Sequence, residues 1–328
     1  MDKAIMANSA VVLRGTDGTL FDIGDGVACL QLHSPANAIS EAVRDIMEIT
    51  IEEVEKNFKG LVLSSKGPNF CVGGNLNYML QLAEAGDWAA AQGESKKLHD
   101  TFMRMKYCSR PVIAAPFGNT LGGGVEMCLH CSGIQAVENI KMGLVEFRVG
   151  LIPGAGGLKE MIVRTIGNGS DSAVRPGLEQ VIVNLVQARI FSNAKDAARN
   201  GYIGKNDGIS LEPENQLDDA KTRVLEMYAA GYKKPEKATV KAIGEKGMAG
   251  IISKWEKLWA DGSISDYDLF IVRKLIYIMQ GGSLEAGSIM DEKYLLSLER
   301  EVFISLLGQA KTQARMTHLL KTGKPLRN

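Results

Sequence analysis

Three glycine-rich turns constrain this sequence more than any other feature. They occupy residues 70–76 (FCVGGNL), 119–127 (NTLGGGVEM) and 143–157 (GLVEFRVGLIPGAGG), each behind a strand-like run or a short polar link. Glycine lets a backbone N–H approach a ligand closely, or lets the chain take positive φ. The segments around these turns alternate in type. Residues 27–32 (VACLQL) read as a strand. Residues 40–58 read as a helix, with Ser40 as cap, Glu41 in the first turn, and Val43, Ile46, Met47, Val54 and Phe58 close to helical spacing. Residues 61–64 form a second strand, 78–107 a helical stretch interrupted near Gly86, 112–115 a third strand opened by Pro111, 125–130 a helix start and 134–137 a fourth strand. This alternation predicts an α/β fold over about residues 12–165. From Pro176 onward the pattern is mostly helical, and residues 206–215 (NDGISLEPEN) read as a loop on the strength of Asp207, Gly208 and Pro213.

The chain has 328 residues, which suggests two domains, and its 45% hydrophobic content is enough to bury a core. Lys plus Arg equals Asp plus Glu at 38 each, so the net charge gives no electrostatic argument for nucleic acid or an anionic membrane. No run of about 18 apolar residues is present, so no membrane span is expected. Residues 1–10 do not read as a signal peptide. The five cysteines, at 29, 71, 108, 128 and 131, are an odd number and fit a reduced, cytoplasmic setting.

Two such turns converging could present two N–H donors to one oxygen, one of them near the start of the helix after Gly124, where the dipole favours negative charge. Glu126 and Glu146 then lie near two of the turns as acid/base candidates. Spacing alone leaves the plainer alternative open. A triple glycine ahead of a helix is more often a packing turn, and a glutamate near a helix start is usually solvated.

The run PVIAAPFGNTLGGGVEMCLHCSGIQAVENIKMGLVEFRVGLIPGAGG resembles the crotonase superfamily, the enoyl-CoA hydratase/isomerase group, and FCVGGNL resembles that family's first oxyanion-hole loop. The motifs stand in family order over about residues 20–170. Further on, ISDYDLFIVRKLIYIMQGG, YLLSLEREVFISLLG and KTQARMTHLLKTGKPLRN look like the C-terminal end of bacterial bifunctional 3-hydroxyacyl-CoA dehydrogenase/enoyl-CoA hydratase proteins. No strand followed by G-x-G-x-x-G is present, so the expectation is the hydratase half, as a fragment or a free-standing homologue, with no NAD bound. The resemblance implies a crotonase-like (ClpP/crotonase) ββα spiral over 12–195, carrying the active site, and an enlarged helical region over 196–328. It also implies a homotrimer or hexamer, with a 3-hydroxyacyl-CoA dehydrogenase as partner or fused domain.

Carried over by resemblance, the N–H groups of Gly74 and Gly123 form an oxyanion hole. Glu126 and Glu146 match the two catalytic glutamates of the hydratases, and Gly154 matches a glycine that positions the attacking water. Val72, Gly74 and Leu76 match substrate-binding positions. The implied reaction is addition of water across the 2,3 double bond of trans-2-enoyl-CoA in fatty-acid β-oxidation, with coenzyme A as part of the substrate. Family isomerases often keep one such carboxylate, so two favour the hydratase. An isomerase or other crotonase-type activity, and a non-catalytic assembly subunit or truncated half, are the alternatives. Asn75 stands where many members have Asp, and Asn77 where many have a basic residue, which puts one coenzyme-A phosphate contact in doubt. Lys66 or a lysine from the C-terminal helices could substitute.

Cys128, His130 and Cys131 have a metal-like spacing, but structural zinc wants four ligands and no second pair lies nearby, so Cys128 and Cys131 read as core residues on the helix after Glu126. Cys71 reads as structural. His33, His99, His130 and His318 form no recognisable triad with a serine.

Overall fold

The computed structural model describes residues 9–169 and 171–328. The reading of the extreme N-terminus therefore falls largely on residues 1–8, outside the described residues. In chain order the strands are β1 (Ala10–Arg14), β2 (Gly18–Asp22), β3 (Val27–Leu32), β4 (Gly60–Ser65), β5 (Val112–Ala114), β6 (Asn119–Leu121), β7 (Gly133–Val137), β8 (Lys141–Gly143), β9 (Gly208–Ser210), β10 (Thr239–Lys241) and β11 (Ile289–Asp291). The first helices are α1 (Glu41–Asn57), α2 (Leu76–Glu84), α3 (Trp88–Lys106), α4 (Gly123–Leu129), α5 (Gly157–Asn168) and α6 (Asp171–Val186). They are followed by α7 (Ala194–Arg199), α8 (Gln216–Ala229), α9 (Gly244–Ala260), α10 (Asp266–Gln280), α11 (Glu292–Leu307) and α12 (Ala310–Thr322). Contacts cluster into two compact units, each assembled from three stretches of chain rather than from one cut: Met1–Asn75, Leu98–Gly143 and Ile190–Glu236 in the first, Leu76–Lys97, Leu144–Arg189 and Lys237–Asn328 in the second.

The first unit is built on a seven-stranded sheet in the order β1-β2-β3-β4-β5-β7-β9. Strands β1 to β3 form an antiparallel meander, and β3 onward is parallel, with Val27 opposite Gly60 and Leu61 opposite Val112. Every residue of β4 is buried, as a strand covered on both faces requires. Helix α1 starts where Ser40 Oγ accepts the Val43 N–H, and it buries Val43, Ile46, Met47, Ile51 and Val54. On another flank, Leu217, Ala220 and Val224 of α8 join Val27, Cys29, Val62 and Ile113 in one apolar cluster. A short parallel pair, β6 and β8, stands apart from the large sheet and frames the second glycine turn.

The 206–215 segment is not wholly a loop. Gly208–Ser210 is the strand β9, paired in parallel with Gln135–Val137 of β7, so the sheet takes its last strand from beyond residue 195. Three residues between turn-formers leave too short a run for an alternation signal to show.

The second unit is helical, with one small antiparallel pair, β10 and β11. The break expected near Gly86 is present: α2 ends at Glu84, Gly86 takes φ +66, and α3 begins at Trp88. Ser265 and Asp268 form a reciprocal capping box at the head of α10. Asp268 also accepts from Arg315 of α12 at 2.9 Å, and both side chains are buried. Lys159 of α5, fully buried, pairs with Glu160 and with Glu292 of α11. No helix among the described residues is long and apolar enough to cross a membrane.

Candidate functional site

In the first unit the first and second glycine turns are laced together by backbone hydrogen bonds. Cys71 N–H donates to Asn119 O, and Leu121 N–H to Cys71 O. On the other side Ile39 N–H donates to Gly73 O, and Asn75 N–H to Ile39 O. Gly74 is thereby held on both flanks while its own N–H donates to no acceptor among the described residues. Gly122 N–H donates to Gly143 O, and Gly122 O accepts from Val125 and Glu126 to open α4. The Gly123 N–H belongs to the first turn of that helix, where no intrahelical acceptor exists. A Cβ placed on Gly123 would stand 3.3 Å from Gly74 N, so the two glycines are close neighbours. At Gly74 itself a Cβ would meet nothing within 4 Å. Of the sequence-predicted residues, Gly74 and Gly123 are thus brought close together, each with a backbone N–H that donates to no acceptor among the described residues.

Glu126 sits one turn beyond Gly123 on α4 and is 3% exposed. Its backbone carbonyl is 2.7 Å from Nδ1 of His130, whose ring packs on Phe102 at 5.5 Å. His130 is a buried core residue tied to the backbone. Cys128 is buried, and Cys131 Sγ points to Met127 O at 3.4 Å. Burial pushes the Cys71 thiol up to about 12, with the charge of Glu126 adding to the effect and the Gly73 backbone opposing it, so Cys71 is no thiolate nucleophile. Val72 and Leu76 are half-buried on either side of the Gly73–Asn75 turn, and Lys66 and Asn77 are exposed.

In the second unit Glu146 opens a short 3-10 turn, Glu146–Val149. Its carbonyl accepts the Leu151 N–H, and its Oε2 is buried with no hydrogen-bond partner among the described residues. Burial raises the Glu146 carboxyl to about 7. The N–H groups of Glu146 and Val145 oppose the rise, and the charge of Glu299 adds to it. Gly154 lies in the segment that follows. A Cβ there would be 2.4 Å from a ring carbon of Phe303, and Ser95 Oγ reaches Gly154 O at 3.5 Å. Sequence reasoning missed Glu299. The available signal was an acidic residue on an apolar stripe, with Leu295 and Phe303 four residues to either side.

Residues 22–174 match the family model described as enoyl-CoA hydratase/isomerase. The chain is 39% identical over 326 residues to a Bacillus subtilis protein named probable 3-hydroxyacyl-CoA dehydrogenase, covering 99% of this chain and 41% of that protein. It is 29% identical over 243 residues to the fatty acid oxidation complex subunit alpha of Shewanella loihica, covering 71% of this chain and 31% of that one. The chain thus spans less than half the length of either relative. Among solved structures, an enoyl-CoA hydratase from Bacillus halodurans superposes with a TM-score of 0.62 at 17% identity, covering 95% of this chain and 99% of the other, which identifies the fold.

Proposed function

We propose, from the premise that residues 22–174 are an enoyl-CoA hydratase/isomerase family domain with the crotonase fold, that the chain hydrates a 2-enoyl-CoA thioester. The observation that carries this reading is the pair of neighbouring amides at Gly74 and Gly123, neither donating to an acceptor among the described residues. A thioester carbonyl oxygen accepting both N–H groups gains stabilisation as it takes up enolate charge. Water adds its oxygen to C3 and gives a proton to a base. The π electrons move toward C2 and the thioester oxygen, and C2 then takes a proton from an acid. Atoms balance as one water added across C2=C3.

Two carboxylates suit the two proton transfers. A carboxyl raised to about 7 keeps much of its proton at neutral pH, so Glu146 is assigned as the acid toward C2 and Glu126 as the base toward water. The backbone at Gly154 is assigned to hold the water, and Val72 and Leu76 to contact the substrate. Coenzyme A enters as part of the substrate, and no nicotinamide is required. The 3-hydroxyacyl-CoA product is what a dehydrogenase partner or fused domain would consume, in keeping with the names of the relatives. A homotrimer or hexamer belongs to the same reading.

Glu146→Gln tests the function. Hydration of crotonyl-CoA should fall by about two to four orders of magnitude with the fold intact, the contribution expected of one acid/base group. Near-parent hydration in that variant, or a parent enzyme that only shifts the double bond of 3-enoyl-CoA, would overturn the assignment.

A further inference from the structure

Within the helical unit, α6 turns one face toward a cavity of about 340 Å³. Glu179, Val183, Val186 and, just past the helix end, Gln187 fall at the spacing that aligns side chains along a helix. Trp255 and Leu258 of α9, with Ile264 of the turn after it, form the opposite wall, and Phe147 closes one side. Phe147, Val186 and Trp255 are buried, but Leu258 is 37% exposed, so the apolar wall is open to solvent. A second hollow of about 360 Å³ adjoins the first and shares Phe147, Val186, Gln187, Asp268 and Arg327 with it. Arg148 and Arg315 line only this second hollow. Each falls within the size range of small-molecule sites, about 300–1,000 Å³.

Charge is distributed unevenly between the two hollows. In the first, Glu179 and Lys254 pair with each other. In the second, Arg315 is taken by Asp268 and by Asn328 Oδ1, the latter at 2.8 Å. Arg148 donates only to a neutral acceptor, Ala188 O at 3.2 Å, so its charge has no counterpart. Arg327 is exposed and has no hydrogen bond or ion pair among the described residues. An apolar trough thus leads to two uncompensated guanidinium groups.

Each half of this cavity excludes a different simple occupant. An inorganic anion would leave the apolar walls wet, and a neutral hydrocarbon would leave both guanidinium groups without a partner. An alkyl chain that ends in a carboxylate satisfies both halves, since burying the chain is favourable and the guanidinium fork matches a carboxylate.

We propose that this cavity binds an alkyl carboxylate, a free fatty acid of medium length, with its chain against Val183, Trp255, Leu258 and Ile264 and its carboxylate at Arg148 and Arg327. No residue assigned to hydration lines the cavity, so the proposal stands or falls independently of the hydratase reading.

Trp255 reports on the trough directly. The chain has three tryptophans, and Trp88→Phe with Trp259→Phe leaves Trp255 alone. Decanoate carrying bromine at its far end should quench that fluorescence in a saturable way, and plain decanoate should compete for the site. Decanol should compete at least about tenfold more weakly, because it lacks the charge. Arg327→Gln should weaken decanoate binding by about tenfold, and Arg148→Gln added to it should weaken binding further. Val183→Phe, which fills the trough, should abolish saturable quenching. Circular dichroism checks that each variant is folded, and Arg327→Gln, at an exposed position, carries the test if Arg148→Gln does not fold. Quenching that never saturates overturns the site. Equal competition by decanol and decanoate overturns the carboxylate, as does unchanged affinity in Arg327→Gln. Undiminished quenching in a folded Val183→Phe variant overturns the placement of the chain.

Discussion

Gly123→Ala is the perturbation that addresses the paired amides most directly. The added methyl would lie 3.3 Å from Gly74 N and 2.9 Å from Ile39 Cδ1. An oxyanion held by these donors would sit about 2.7–3.1 Å from each nitrogen, and a methyl 3.3 Å from one of those nitrogens crowds its surroundings. Losing one donor typically lowers turnover by about two to three orders of magnitude, and crowding of the pair should cost at least that much. The fold should survive. The crowded atom of Ile39 is the free end of a rotatable side chain, and overpacking of this kind costs about 1–3 kcal/mol. The assay is loss of enoyl-thioester absorbance with saturating crotonyl-CoA, beside a thermal melt. Gly74→Ala is the control, because its methyl meets nothing within 4 Å and leaves both N–H groups in place. It should stay within about tenfold of the parent. A Gly123→Ala enzyme with near-parent turnover would refute the reasoning, as would a Gly74→Ala enzyme damaged to the same degree.

Two further outcomes concern the helical unit. The Glu146 carboxyl is raised in the folded chain from 4.5 to about 7, so the folded state holds a proton that the unfolded state releases between those values. Stability therefore falls as pH rises from about 4.5 to 7 and levels off above, a loss on the order of 2–3 kcal/mol. Glu146→Gln removes that loss and should raise the melting temperature more at pH 8 than at pH 4.5; equal increments at the two pH values would contradict it. Arg315→Met leaves the Asp268 carboxylate buried without its partner and should destabilise by about 3–5 kcal/mol in denaturant melts, whereas a change under 1 kcal/mol would show the pair to be dispensable.

Much of the first unit was legible because its signals are local. The Ser40 cap, the α1 stripe and the four long-range strands predicted at 27–32, 61–64, 112–115 and 134–137 all coincide with observed elements to within a residue or two. What escaped is short or non-local. Strands β6, β8 and β9 have three residues each, and their identity comes from the strand they pair with, not from alternation. The division of the chain followed the same logic. Units assembled from three stretches each leave no single composition shift to find. Gly74 and Gly123 were recognisable as glycines in family turns, yet their convergence is a property of β6, Cys71 and Ile39 acting together. Glu299 was the least legible of all, because the Gly156 and Lys159 N–H groups it accepts lie about 140 residues away in sequence.

Buried charge in the helical unit separates structural from chemical use. Asp268 has Arg315 and the Ser265 N–H, and Lys159 has two carboxylates. Such satisfied pairs hold elements in register without leaving an ionisable oxygen open. Glu146 differs: among the described residues its Oε2 is the one carboxylate oxygen buried without a hydrogen-bond partner. Burial raises its carboxyl to about 7, and the charge of Glu299 adds to the rise. An arrangement that works against folding at neutral pH has no structural benefit to explain it, since a glutamine or a leucine would serve the packing better. The proposed role of Glu146 as the acid supplies a reason. A proton donor has to hold its proton near the working pH, and that requires the burial and the like charge that stability alone would remove.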